Sequence, residues 1–154
     1  MNTNVIMAQN DNIDDKTDYK YTLFFDGCSK GNPGKAGAGA VLYRTDVEKE
    51  NLIEIWSQAH FVGEKETNNV AEYTGLVIGL EEAVQKGLPN LIVKGDSLLV
   101  IKQMQGVYKV NAVHLLPLYE RASALTKRIR VIEFHHVYRA ENKRADALSN
   151  EALN

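Results

Sequence analysis

The stretch YKYTLFFDG, Tyr19 to Gly27, decides how the rest of this 154-residue chain is read. Tyr, Thr and Phe crowd positions 19 to 25, a composition that suits a pleated strand, and Asp26-Gly27 ends the run ahead of a Gly-dense loop. Two further β-type runs lie at 37–45 (GAGAVLYRT) and 51–62 (NLIEIWSQAHFV), either side of the polar DVEKE, and predict an antiparallel meander. Thr67-Asn68-Asn69 then offers capping side chains to a helix over 70–86, where Val70, Tyr73, Val77, Leu80 and Val84 recur at spacings of three and four. Gly87 and Pro89 stop it. Leu91-Ile92-Val93 is wholly apolar and predicts a short strand buried on both faces, after which Asp96-Ser97 caps a helix to about Gln105. Gly106 closes that helix, and Pro117 sits in the first turn of another reaching Arg128. Arg130 to Tyr138 reads as a last strand, and Glu141 to Leu153 as a terminal helix with Ala145, Leu148 and Ala152 on one side. The order βββαβααβα gives an α/β fold: a mixed sheet with helices on both faces.

Composition narrows the class further. With 44% hydrophobic and 25% charged residues the chain can bury an ordinary core as one domain. No apolar run approaches the roughly 20 residues of a membrane span, and the single cysteine, Cys28, cannot bridge internally. Residues 1–10 carry no Lys or Arg, unlike a secretion signal, so a cytoplasmic protein is expected, or a nuclear one in a eukaryote. Residues 1–19 hold Asp11, Asp14, Asp15 and Asp18 against Lys16 alone and read as a disordered acidic tail before a domain at 20–154. From Lys94 to Arg144 there are ten bases and four acids, which allows an anionic partner without requiring one.

Four acids stand at core boundaries. Asp26 and Asp96 follow strands, Glu72 lies among apolar neighbours in the first turns of a helix, and Asp146 lies between Ala145 and Ala147. Strand ends of an open α/β sheet point into the crevice at its carboxyl edge, so neighbouring strands would bring Asp26 and Asp96 together and a helix across that edge would add Glu72. Two carboxylates about 4 Å apart repel by roughly 4 kcal/mol at an effective dielectric near 20, so such a cluster needs a shared proton or a cation. Oxygen-only ligands favour Mg²⁺, with Mn²⁺ as a substitute. Each acid alone is equally a cap, a turn residue, a helix-dipole partner or a surface charge; only the set points to a site.

Other chemistries fit poorly. Around Gly27–Ala36 a phosphate-binding P-loop would need Gly at position 29 and Ser or Thr at 36, where Ser29 and Ala36 stand. Gly37-Ala38-Gly39 is followed by Leu42 in place of the third Gly of a dinucleotide fingerprint. His135-His136 are adjacent on a strand and face opposite sides, so they cannot share one metal.

Taken in order, Phe25-Asp26-Gly27 with Gly31-Asn32-Pro33-Gly34, Thr67-Asn68-Asn69-Val70-Ala71-Glu72, Gly95-Asp96-Ser97 and Glu141-Asn142-Lys143-Arg144-Ala145-Asp146-Ala147-Leu148 make the chain resemble a type I ribonuclease H from Tyr21 to Leu153. That family cuts the RNA strand of RNA–DNA hybrids. The resemblance implies a five-stranded sheet in the order 3-2-1-4-5 and makes Asp26, Glu72, Asp96 and Asp146 the catalytic ligands of two Mg²⁺ ions. It implies hydrolysis to 5′-phosphate and 3′-hydroxyl ends without a covalent intermediate. It also implies substrate contacts from Gly27, Cys28, Ser29, Asn32, Asn68 and Asn69 to sugar and minor groove, and from Thr67 to a DNA phosphate.

Two departures mark a compact subgroup. The short segment Val137–Asn142 lacks the His that many members carry in a flexible loop for proton movement or product release, and Arg139 and Glu141 are the candidates for its role. The connection from Gly106 to Leu116 is too short for the basic handle of other members, with Lys109 and His114 its only basic residues. A monomer binding an RNA–DNA hybrid is expected. The alternatives are a noncatalytic binding module of the same fold, or a related nuclease acting on another polynucleotide.

Overall fold

The aromatic run at Tyr19 does form the first strand, yet that strand does not stop at Asp26. In the computed structural model, which describes residues 16–154, β1 spans Tyr19–Lys30 and passes through the Gly-dense segment to a tight turn at residues 31–33. Antiparallel pairing to β2 (Gly34–Asp46) continues across Gly27↔Ala38, Cys28↔Gly37 and Ser29↔Ala36, so small residues that look loop-forming in sequence are held in a ladder. β3 (Leu52–Glu66) completes the meander. Then follow α1 (Asn68–Gln85), β4 (Asn90–Gly95), α2 (Leu98–Met104), α3 (Leu116–Thr126), β5 (Val131–His136) and α4 (Lys143–Glu151). The sheet order is β3-β2-β1-β4-β5, with β4 parallel to both β1 and β5, as the family resemblance implies.

The caps fall where polar side chains stand before apolar periodicity. Thr67 Oγ1 accepts the Val70 N–H and Ser97 Oγ accepts the Val100 N–H, each at 3.2 Å. The expected tail lies outside the described residues as far as residue 15; Lys16–Asp18 form a 3₁₀ turn and Tyr19 already opens β1.

Alternation along β1 sorts the two faces of the sheet. Tyr21, Leu23 and Phe25 join Leu42, Tyr73, Leu76, Leu80, Val93, Ile101 and Leu125 in the main core, which α1, α2 and α3 cover. Phe24 turns to the other face, where Val41, Ala145 and Leu148 form a smaller core under α4. Full burial of each large apolar side chain contributes about 1.5–3 kcal/mol, so the first face dominates stability. One expectation fails here: β4 is buried on one face only, with Leu91 and Val93 inside and Ile92 half-buried, because α4 packs on the β1–β3 half of the sheet and leaves β4 uncovered.

Candidate active site

The parallel β1–β4 ladder ends at Phe25↔Gly95, so the next residues, Asp26 and Asp96, emerge side by side at the carboxyl edge of the two central strands. Asp26 points to the α4 face with Phe24, whereas Gly27 faces α1. A Cβ at Gly27 would lie 2.3 Å from the backbone of Ala71 and Glu72, and its absence lets α1 approach β1 closely enough for Glu72 to reach Asp26. A carboxylate oxygen from each of Asp26, Glu72 and Asp96 lies within 4.8 Å of the others. Asp146, in the first turn of α4, approaches the same carboxylate from the opposite face, near enough for its charge to help raise the Asp26 pKa. All four acids line one cleft of about 370 Å³.

Burial and mutual repulsion set the charge state of this group. Asp26 is 4% exposed. Its burial, and then the neighbouring Asp96 charge, push its pKa up to about 8, against a smaller opposing pull from the Gly27 N–H that donates to Oδ1 at 2.9 Å. Glu72 is also held well above the usual carboxylate range, by desolvation first and the Asp26 charge second. Its Oε1 is buried with no hydrogen-bond partner, a cost that a cation in the cleft would remove. An all-oxygen donor set with one orphaned carboxylate oxygen fits a hard divalent cation.

Around the acids, Gly27, Cys28, Ser29, Asn68 and Arg139 line the cleft as well. Ser29 N–H donates to Asn68 Oδ1 at 2.8 Å, and Asn68 N–H donates to Asn32 Oδ1 at 2.9 Å, which ties the β1–β2 turn to the start of α1. Asn32 takes a positive φ of 35° to do so. Thr67 is committed to its cap, Asn69 is half-buried in the first turn of α1, and neither lines the cleft. Glu141 turns away from it, and its Oε1 accepts the Tyr138 N–H at 3.0 Å. Two residues of the cleft had no signal as site residues in the sequence: Lys30 Nζ donates to Asn150 Oδ1 at 3.0 Å, while Asn150 Nδ2 donates to the Asp146 carbonyl at 2.9 Å. The spacing of Asn150 four residues after Asp146 on a helix was the available clue.

A fold of this order with acids at this edge has known counterparts. The family model described as "Reverse transcriptase-like" matches residues 24–152. Ribonuclease HI of Halobacterium salinarum is 40% identical over 130 residues, covering 84% of this chain and 62% of that protein. The crystal structure of that organism's RNase H1 superposes with a TM-score of 0.77 and 37% identity over 87% of this chain and 97% of the other. This chain belongs to the type I ribonuclease H family.

Other ribonuclease H relatives bracket the match. The N-terminal RNase H domain of a Mycobacterium tuberculosis protein gives a TM-score of 0.79 at 42% identity, covering 87% of this chain and 93% of that one. The full mycobacterial protein, named as bifunctional, is 44% identical over 134 residues, and this chain spans 35% of its length. LC11-RNase H1, solved in complex with an RNA/DNA hybrid, gives a TM-score of 0.76 at 34% identity over 87% of this chain and 96% of that one.

Proposed function

We propose that this ribonuclease H hydrolyses the RNA strand of RNA–DNA hybrids as an endonuclease and leaves 5′-phosphate and 3′-hydroxyl ends. The observation that carries the reading is the convergence of Asp26, Glu72 and Asp96 oxygens within 4.8 Å, with Glu72 Oε1 buried and unpartnered. Asp26, Glu72 and Asp96 would hold one Mg²⁺, and Asp26 with Asp146 a second, with Mn²⁺ as substitute. Bound divalent cations supply Lewis-acid polarisation of the scissile phosphate and lower the pKa of water.

The chain's own residues do the rest. The carboxylates of Asp26 and Glu72 give up the protons that burial imposes on them. The backbone from Gly27 to Ser29, braced by Asn68, would meet the 2′-hydroxyl that separates RNA from DNA. Asn32 and Asn69 would contact sugar and minor groove, and Thr67 a phosphate of the DNA strand. Arg139 lines the cleft and suits a phosphate oxygen through its planar fork of N–H donors; Glu141 holds the 3₁₀ turn that carries it. Contacts of this kind read backbone more than bases, so sequence preference should be weak. Among the described residues no helix is long and apolar enough to cross a membrane, and a cytoplasmic monomer is the reading we adopt.

Incubation of a labelled RNA–DNA hybrid, duplex RNA and duplex DNA with Mg²⁺ and with chelator tests this. Cleavage confined to the hybrid's RNA strand and abolished by chelator is expected. Cutting of duplex DNA, or no cleavage with any divalent ion, would overturn it.

A further inference from the structure

Asn142 stands at the N-cap of α4, where an asparagine side chain ordinarily accepts an N–H of the first turn. Here its side chain caps nothing. It turns inward, 1% exposed, and Nδ2 donates to the Phe25 carbonyl at 2.9 Å across 117 residues of sequence. Phe25 immediately precedes Asp26, and the Asn142 carbonyl accepts the Asp146 N–H at 3.0 Å. One buried residue therefore links the backbone beside Asp26 to the backbone of Asp146.

Stability alone does not account for this choice. Asn142 gives up its cap, and its Oδ1 is buried with no hydrogen-bond partner. What the side chain gains is one bond, and that bond fixes the start of α4 against β1 at the site. Arg144, at the same end of α4, pairs with Glu54 at the surface and so reaches β3 and not β1, while Lys30 meets α4 only about two turns further along, at Asn150.

We propose that Asn142 is a positioning residue: through the Phe25 carbonyl it sets the first turn of α4, and so holds the Asp146 carboxylate against Asp26, without touching substrate. The inference rests on the reading of these acids as the ion-holding catalytic set. A misplacement of about 1 Å at a reacting centre can cost on the order of 100-fold in rate, so a single anchor of this kind has a measurable effect.

Asn142→Ala and Asn142→Ser test the proposal; the serine hydroxyl ends one atom short of the position of Asn142 Nδ2, too far from the Phe25 carbonyl to replace its bond, and carries the test if the alanine variant does not fold. Three quantities are read: hybrid cleavage well below the unfolding midpoint, Mn²⁺ affinity of the protein alone by electron paramagnetic resonance, and thermal unfolding. We expect kcat to fall by about 10- to 100-fold with KM for the hybrid within about twofold. Mn²⁺ affinity should weaken by about 10-fold, with an unchanged circular dichroism spectrum. Variants that melt earlier but keep wild-type kcat and Mn²⁺ affinity would reduce Asn142 to a structural residue and overturn the proposal. If the wild type itself leaves hybrids intact, the function proposed above fails, and the Mn²⁺ measurement still decides whether Asn142 positions the acids.

Discussion

At Asp26 burial and repulsion act together. Replacement by Asn removes the charge that the other acids oppose and keeps the shape. Asp26→Asn should lower kcat by at least about 1,000-fold, the scale of losing an electrostatic anchor, while hybrid affinity stays within a few-fold in a gel-shift assay. Full activity in that variant would exclude Asp26 as a ligand. The pKa of this residue also fixes a pH dependence. Unfolded, the group titrates near 3.8; folded, at about 8. Between those values the folded chain holds a proton that the unfolded chain has released, so raising pH through this window favours unfolding. Glu72 acts in the same direction. In chelator, the Tm of the wild type should therefore fall as pH rises from about 5 to 8, and the fall should be shallower in Asp26→Asn. Added Mg²⁺ should raise Tm more at the upper end of that range, since protons compete for the same oxygens. A flat Tm across the window would contradict the assigned charge states.

Between elements, the contact that matters most is β1 on α1 at Gly27. The Cβ of an alanine there would press on the α1 backbone at Ala71 and Glu72, which no side-chain rotation relieves. Gly27→Ala should cost about 1–3 kcal/mol of stability by overpacking and should lower kcat more than tenfold by moving Glu72. Gly106→Ala is the matched control, because its Cβ meets nothing within 4 Å and only its φ of +79° resists. That variant should lose about 1 kcal/mol through backbone strain and keep its turnover. Denaturant unfolding and steady-state cleavage on both variants distinguish a packing defect at the site from simple backbone strain.

For the whole molecule, charge placement governs how a polyanion is held. The bases between Lys94 and Arg144 are spread over β4, the helices and the connections, with Lys127, Arg128 and Arg130 together between α3 and β5 and Lys109 alone in the α2–α3 connection, where no basic handle rises. Hybrid affinity should then fall linearly in log salt with a slope corresponding to a few phosphates, on the order of −2 to −5. Binding that ignores salt would exclude backbone contacts as the main source of affinity.

The strand, turn and capping signals of the sequence, at Tyr19 to Phe25, Thr67 and Ser97, determined the element order and, with the family motifs, the sheet order, because they rest on local periodicity and short-range hydrogen bonds. Asp26, Glu72, Asp96 and Asp146 were legible as a set through the family motifs around them, although only Asp96 stands at the end of an element and Asp26, Glu72 and Asp146 lie within β1, α1 and α4. Three features were decided by tertiary structure alone. β1 continues through its glycines to Lys30 because β2 pairs with them, Ile92 stays half-buried because α4 covers only the β1–β3 half of its face, and Asn142 leaves its cap for the Phe25 carbonyl. Each depends on a partner far away along the chain, and local propensity carries no record of which distant backbone will arrive beside it.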